Sequence, residues 1–253
     1  MHEFNNEMIQ NSFSAVAHGT YLYVLHDRSM YRLQYRDVTA TWEKMPDLID
    51  DHGSFPPAVI VAGAIIIAGG SYVAFAFTKS TTKYDISLNR WEKLKDKQLA
   101  TIDSANVASQ GYVFCLGGLI GGIVPTDKVE RLNLESQIWD EVASMQDVRH
   151  DASAVDCGRK IIVAGGKNSD FRSVDTVESY DPDLNQWTII TPMKIKRAPY
   201  YRCHVIGATI YAVGPYDDRG IECYDLEKDE WEFCKLPDAV QLNICGSVTV
   251  KIS

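Results

Sequence analysis

The chain has 253 residues, 45% hydrophobic and 23% charged, with a net charge of −9 and a pI near 5.1. That is ample for a buried core, and the negative field argues against nucleic acid or an anionic membrane surface as partner. No apolar run approaches the roughly 20 residues that span a bilayer, and the polar opening Met1-His2-Glu3-Phe4-Asn5-Asn6-Glu7 is unlike a secretory signal. The reading is a cytoplasmic protein.

Residues 1–10 read as a tail, and one unit then recurs along residues 11–253. It opens with a short apolar run: Phe13–Ala17, Ala58–Ala62, Ala105–Ala108, Ala152–Val155, Cys203–Ile206. A turn, often carrying glycine, leads to a second apolar run: Tyr21–Leu25, Ala64–Ala68, Tyr112–Leu116, Ile161–Ala164, Ile210–Val213. A Gly pair ends that run at Gly69-Gly70, Gly117-Gly118 and Gly165-Gly166. The first copy has His26-Asp27 there, and the last has Gly214-Pro215. A loop and an alternating run follow, up to Tyr35, Tyr84, Leu132, Tyr180 or Tyr224. Seven residues on stands Trp42, Trp91, Trp139, Trp187 or Trp231, which are all the tryptophans of the chain.

Short runs rich in Val, Ile, Tyr and Phe, punctuated by Gly, Asp, Asn and Pro, read as strands of antiparallel meanders. No sustained 3.6-residue apolar period predicts helix. Four strands repeated about every 48 residues predict the blades of an all-β propeller, since a lone blade cannot bury both faces. The repeats are expected at about 12–47, 55–97, 104–146, 150–194 and 201–237, with a partial one at 243–253. Asn243–Ser253 resembles only the first strand of another unit. The expected ring is therefore an incomplete six-bladed one, and a closed five-bladed ring with a spare strand is the alternative. The Tyr-to-Trp spacing never varies, whereas the distance from the Gly-pair position to the Tyr position does. A rigid frame with variable loops on one side marks that side for binding.

One stretch, Val177-Glu178-Ser179-Tyr180-Asp181-Pro182-Asp183-Leu184-Asn185-Gln186-Trp187, closing at Pro192-Met193 and followed by Arg197, resembles the kelch repeat. It is most similar to repeats of the BTB–kelch (kelch-like) proteins. The resemblance runs from about Ser12 to the end; the second to fourth units match well, the first lacks the Gly pair and the fifth has half of it. It implies a kelch β-propeller that binds another protein, a peptide or a domain surface, on its loop face. In kelch-like proteins this domain presents substrates to a cullin-type ubiquitin ligase, through a BTB part that these residues do not contain. Actin or another cytoskeletal partner is the alternative, and a kelch-type copper oxidase is a third reading.

Ten residues after the tryptophans stand His52, Thr101, Arg149, Arg197 and Gln241. By resemblance, Arg149 and Arg197 face the partner, as an Arg fork suits carboxylate or phosphate; the structural alternative is that they tie blades together through backbone carbonyls. His150 and Tyr200 lie close by. The loops offer Tyr72 and Phe75 in an apolar stretch that reads equally as a contact patch or as an extended third strand. They also offer Phe171 and Arg172, and Tyr216 and Arg219. Leu119–Pro125 reads as a Gly-rich, mobile loop. No enzyme, cofactor or metal is expected: the six histidines form no H-x-x-x-H or H-x-H pair and the six cysteines no C-x-x-C. G-x-S-x-G is missing, and no Lys-Ser/Thr follows the Gly pairs. The cysteines are expected to be reduced, mostly buried thiols.

Overall fold

In a computed structural model the described residues are 14–53, 56–72, 76–199, 201–214 and 220–234, and among them the chain is all β. No helix there is long and apolar enough to cross a membrane. The first sheet holds β1 (Ser14–His18), β2 (Tyr21–His26), β3 (Ser29–Gln34) and β4 (Glu43–Lys44). In the second, β5 (Ala58–Val61) and β6 (Ala64–Ala68) precede a small hairpin of β7 (Ser71–Tyr72) and β8 (Ala76–Phe77). The sheet then closes with β9 (Thr81–Asp85) and β10 (Arg90–Lys93). A linker strand, β11 (Thr101–Ile102), leads to β12 (Ala105–Ser109) and β13 (Tyr112–Leu116). Next come a second small hairpin, β14 (Leu119–Ile120) and β15 (Val124–Pro125), then β16 (Val129–Asn133) and β17 (Ile138–Val142). The fourth sheet is β18 (Ser153–Asp156), β19 (Ile161–Ala164), β20 (Val177–Asp181) and β21 (Gln186–Ile190). The fifth is β22 (Arg202–Ile206), β23 (Thr209–Val213), β24 (Glu222–Asp225) and β25 (Glu230–Phe233).

Each of these five four-stranded sheets is an antiparallel meander in chain order. Their first strands, β1, β5, β12, β18 and β22, lie side by side in that sequence, so the sheets radiate from a common axis as propeller blades. The expected C-terminal strand at 243–253 and the tail at 1–10 lie outside the described residues.

The uninterrupted apolar strands now have a reason. Side chains of a strand alternate between faces, and each blade has a neighbour on both. Ile161 and Val163 of β19 pack toward the third blade with Phe114, Leu116 and Trp187. Ile162 and Ala164 pack toward the fifth with Tyr201, Ile210, Tyr224 and Trp231. The same division holds in β6, where Ile65 and Ile67 join the first blade and Ile66 the third. Each fully buried branched side chain contributes about 1.5–3 kcal/mol.

The fixed spacing of seven is a hairpin register. Tyr84 faces Trp91, Leu132 faces Trp139, Tyr180 faces Trp187 and Tyr224 faces Trp231 across paired strands. In the second, fourth and fifth blades the intervening turn opens with Asp85, Asp181 or Asp225, whose carboxylate accepts the N–H groups two and three residues on. It ends on Asn89, Asn185 or Asp229 at positive φ, whose side-chain oxygen accepts from the tyrosine hydroxyl at 2.6–2.8 Å. The indole N–H of Trp91, Trp139, Trp187 and Trp231 then donates at 2.8–3.0 Å to a carbonyl that follows the preceding blade: Pro46, Lys95, Ala143 or Thr191. A polar bond thus accompanies the aromatic wedge between blades. The first unit departs from the pattern: β3 stops at Gln34 and β4 starts at Glu43, so Tyr35 and Trp42 fall outside its ladder.

Cys115 and Cys203 are buried free thiols, and desolvation pushes them up to about 11 and about 12, so they stay protonated. Against the expectation of separate reduced thiols, Cys223 and Cys234 stand close enough to form a disulfide, with Cα atoms 6.1 Å apart, because Cys234 leaves β25 alongside Cys223 of the adjoining β24.

The Gly pairs meet backbone of the inter-blade linkers, the first glycine that of the linker leaving its blade and the second that of the linker entering it. A Cβ on Gly118 would lie 2.5 Å from the Ile102 carbonyl oxygen, and Gly118 has φ +98°. Gly118→Ala is expected to cost about 3 kcal/mol or more in denaturant unfolding. Gly121→Ala, at φ +58° with open space around it, should cost only about 1–2 kcal/mol.

Candidate partner-binding face

In an up-down meander, the loop between the second and third strands, the linker leaving the fourth strand and the linker entering the next blade all lie at one end. The Gly-pair loops and the inter-blade linkers therefore share a face. Gly70, Gly118 and Gly166 donate their N–H to the carbonyls of Thr101, Arg149 and Arg197, the residues ten after a tryptophan.

The described side chains at that position, His52, Thr101, Arg149 and Arg197, are buried. Arg149 is fully buried; it donates to the carbonyls of Gly165 and Thr176 at 2.9 and 3.1 Å and pairs with Glu178 Oε1 at 2.7 Å. Arg197, also buried, donates from Nε to Glu222 Oε2 at 2.9 Å and to the Gly220 carbonyl at 2.9 Å. Both carboxylates are wholly buried and accept backbone N–H groups of the linker as well, from Gln146 and Asp147 in one case and Lys194 in the other. The expectation that these arginines present free guanidinium groups is therefore corrected: they lock each linker onto the blade it enters.

The third blade uses the same carboxylate position with a different cation. Glu130 accepts from the N–H groups of Gln98 and Leu99, and Lys97 supplies the charge at 3.2 Å while Thr101 holds the ammonium at 2.6 Å. Lys97 stands six residues after its tryptophan, where the neighbouring units carry Met145 and Met193. The second blade carries an uncharged pair at this position. His52, also buried and not presented to a partner, donates from Nδ1 to the Gly69 carbonyl at 2.8 Å, leaving Nε2 to accept from the Thr82 hydroxyl at 3.1 Å. Thr82 stands where the next three blades have glutamate. Sequence reasoning missed Glu130, Glu178 and Glu222; their signal was a glutamate two residues before the Tyr or Leu position in three consecutive units.

The exposed part of the face is built by the variable loops. Leu119–Pro125 is not a free loop: β14 and β15 pair with each other and with linker strand β11 as a three-stranded sheet, which leaves Ile123 and Val124 exposed at its tip. Ser71–Tyr72 and Ala76–Phe77 pair as the separate hairpin β7–β8 instead of extending the third strand, which starts at Thr81. In the fourth blade, Lys167 bridges to His150 and Ser173, and Asn168 Oδ1 accepts the N–H groups of Asp170 and Arg172. This holds Phe171 at φ +58°, half exposed, beside the exposed Arg172. His150 itself is buried, its ring edge-on to Phe171 at 5.0 Å. The side chains of Tyr72 and Phe75, and Tyr200, Tyr216 and Arg219, lie outside the described residues.

The family model for the Kelch motif matches residues 102–146 and 149–194, which cover the third and fourth blades. The chain carries kelch repeats and is similar to the kelch-repeat, protein-binding domain of the kelch-like proteins. It is 28% identical over 221 residues to kelch-like protein 35 of Mus musculus, covering 85% of this chain and 36% of that protein. It is 26% identical over 242 residues to kelch-like protein 25 of Xenopus tropicalis, covering 88% of this chain and 40% of that one. The chain thus spans about two fifths of the length of these relatives. The solved structure of YjhT superposes with a TM-score of 0.78 at 11% identity, covering 94% of this chain and 87% of that one, a likeness of fold.

Two expectations follow for the linkers. Arg149→Met strands Glu178 in the interior and should lower unfolding stability by about 3–5 kcal/mol in a denaturant titration. For His52, burial holds the imidazole below its ordinary value of 6.5, so the folded state binds its proton less readily than the unfolded state. The stability it contributes is complete above about pH 6.5 and is lost as the pH falls below that. Melting temperatures measured from pH 7.5 to 5 should decline, and less steeply in His52→Gln.

Proposed function

We propose that this domain recognises a protein substrate on its Gly-pair loop face as the receptor part of a kelch-like ubiquitin-ligase adaptor in the cytoplasm. The observation that carries the reading is the Phe171–Arg172 tip. An aromatic and a guanidinium are held exposed on a loop cross-linked by Asn168, in line with the aromatic and Arg anchors that dominate interfaces. Rigid loops lose little entropy on binding, and Ile123 and Val124 add apolar area on the same face. Similarity to kelch-like proteins 35 and 25 supports the choice of partner class. The ligase itself would be engaged through a BTB segment, as in the longer kelch-like proteins.

The test is affinity capture from cells with quantitative mass spectrometry, comparing the wild-type domain with Phe171→Ala/Arg172→Ala. Proteins retained by the wild type should fall at least about tenfold in the variant, with stability unchanged within about 0.5 kcal/mol. Their abundance should rise when the proteasome is inhibited. Retention by both forms would remove the site assignment, and recovery of actin with proteasome-insensitive abundance would favour the cytoskeletal reading. The thiol state of Cys223 and Cys234, trapped by alkylation at lysis, tests the compartment: free thiols support the cytoplasm, and a disulfide counts against it.

A further inference from the structure

At the same repeat position, twelve residues after their tryptophans, Asp103 and Asp151 enter adjacent innermost strands. The Asp151 N–H donates to the Asp103 carbonyl at 2.9 Å, which fixes the two linkers side by side. His150 completes the group: one ligand atom from each of the three residues lies within 4.8 Å of the others. Two carboxylates at close range are costly to keep ionised together.

The imidazole carries an independent indication of a ligand. His150 is 2% exposed, and neither ring nitrogen has a hydrogen-bond partner. Nδ1 lies 3.4 Å from Asp151 Oδ2, but without hydrogen-bond geometry. A buried polar group left unpaired costs about 1–3 kcal/mol, and among the described residues no other histidine has both nitrogens in that state. The packing of Phe171 against the ring keeps it oriented toward the two carboxylates.

We propose that Asp103, His150 and Asp151 form a binding site for a divalent transition metal, zinc being the reference ion. One imidazole and two carboxylates are a borderline donor set that favours zinc, manganese or iron(II) over calcium or magnesium, which take all-oxygen shells. Ligand atoms around one zinc stand about 3.4 Å apart, so the cluster must tighten by on the order of 1 Å. Asp103 is exposed and has the room to do so. Three protein ligands leave a coordination position toward solvent. One group opposes the metal: the Lys167 ammonium, 2.9 Å from Asp151 Oδ2, competes for that oxygen. The proposal stands apart from the choice of protein partner.

The experiment is calorimetric titration of the purified, chelator-treated domain with zinc chloride and, separately, calcium chloride. Saturable binding of one zinc per chain is expected, with calcium at least tenfold weaker. Asp103→Asn, a change at an exposed residue, should weaken zinc at least about tenfold, and Lys167→Met should tighten it by removing the competing charge. Thermal melting of each variant without metal confirms that it is folded. Lack of saturable zinc binding, or equal affinity in Asp103→Asn, overturns the site; the second result would place the ion elsewhere, for example on cysteines.

Discussion

A carboxylate shut away from water has to receive all its hydrogen bonds, and a counter-charge, from the chain around it. Glu130, Glu178 and Glu222 impose that requirement at the start of the third strand in three successive blades. Each is met by N–H groups and a cation from the linker that has just left the preceding blade. Burying an ion costs several kcal/mol before any pairing, so the arrangement tolerates little displacement. Blade orientation, the path of the linker and the close approach of the Gly pairs all follow from satisfying it. The aromatic wedges supply area, but apolar area is non-directional; the buried pairs give the stacking a single register.

That division of labour explains which parts of the fold were legible in sequence. The hairpin that carries Tyr and Trp is local, and its spacing is set by one turn, so a fixed interval of seven showed it directly. The doubly apolar strands β6, β13 and β19 were equally plain, since a blade with neighbours on both sides has no polar face. The small hairpins were hidden because each strand is two residues long and β11 pairs with residues almost twenty positions away. Arg149 and Arg197 were found as a repeating feature, but their direction was not. An arginine ten residues after a tryptophan reads the same whether it points to solvent or into a blade; the discriminating sign was the glutamate in the following unit.

The binding face draws its shape from the same frame. Its loops are not loose insertions: Leu119–Pro125 is held by the incoming linker and Lys167–Ser173 by paired bridges and the Asn168 side chain. Variation in these loops can change what the face presents without disturbing the buried links beneath, because backbone atoms of the Gly pairs make the junction between the two layers. Chemistry at the rim and stability below it are separated by one layer of glycine.

The migration of the cation from the tenth residue after tryptophan to the sixth, in Lys97, has a consequence for how such a protein can be rearranged. Acid and base of one lock come from different repeats, so a repeat is half of two locks and the whole of none. Exchanging the unit that carries Lys97 for the one that carries Arg149 would confront each receiving blade with a cation arriving along the wrong path. Duplication or shuffling of single units is therefore constrained at their borders, and a viable graft must be cut within a blade, between an acid and its own aromatic hairpin, not at the ends of the repeat.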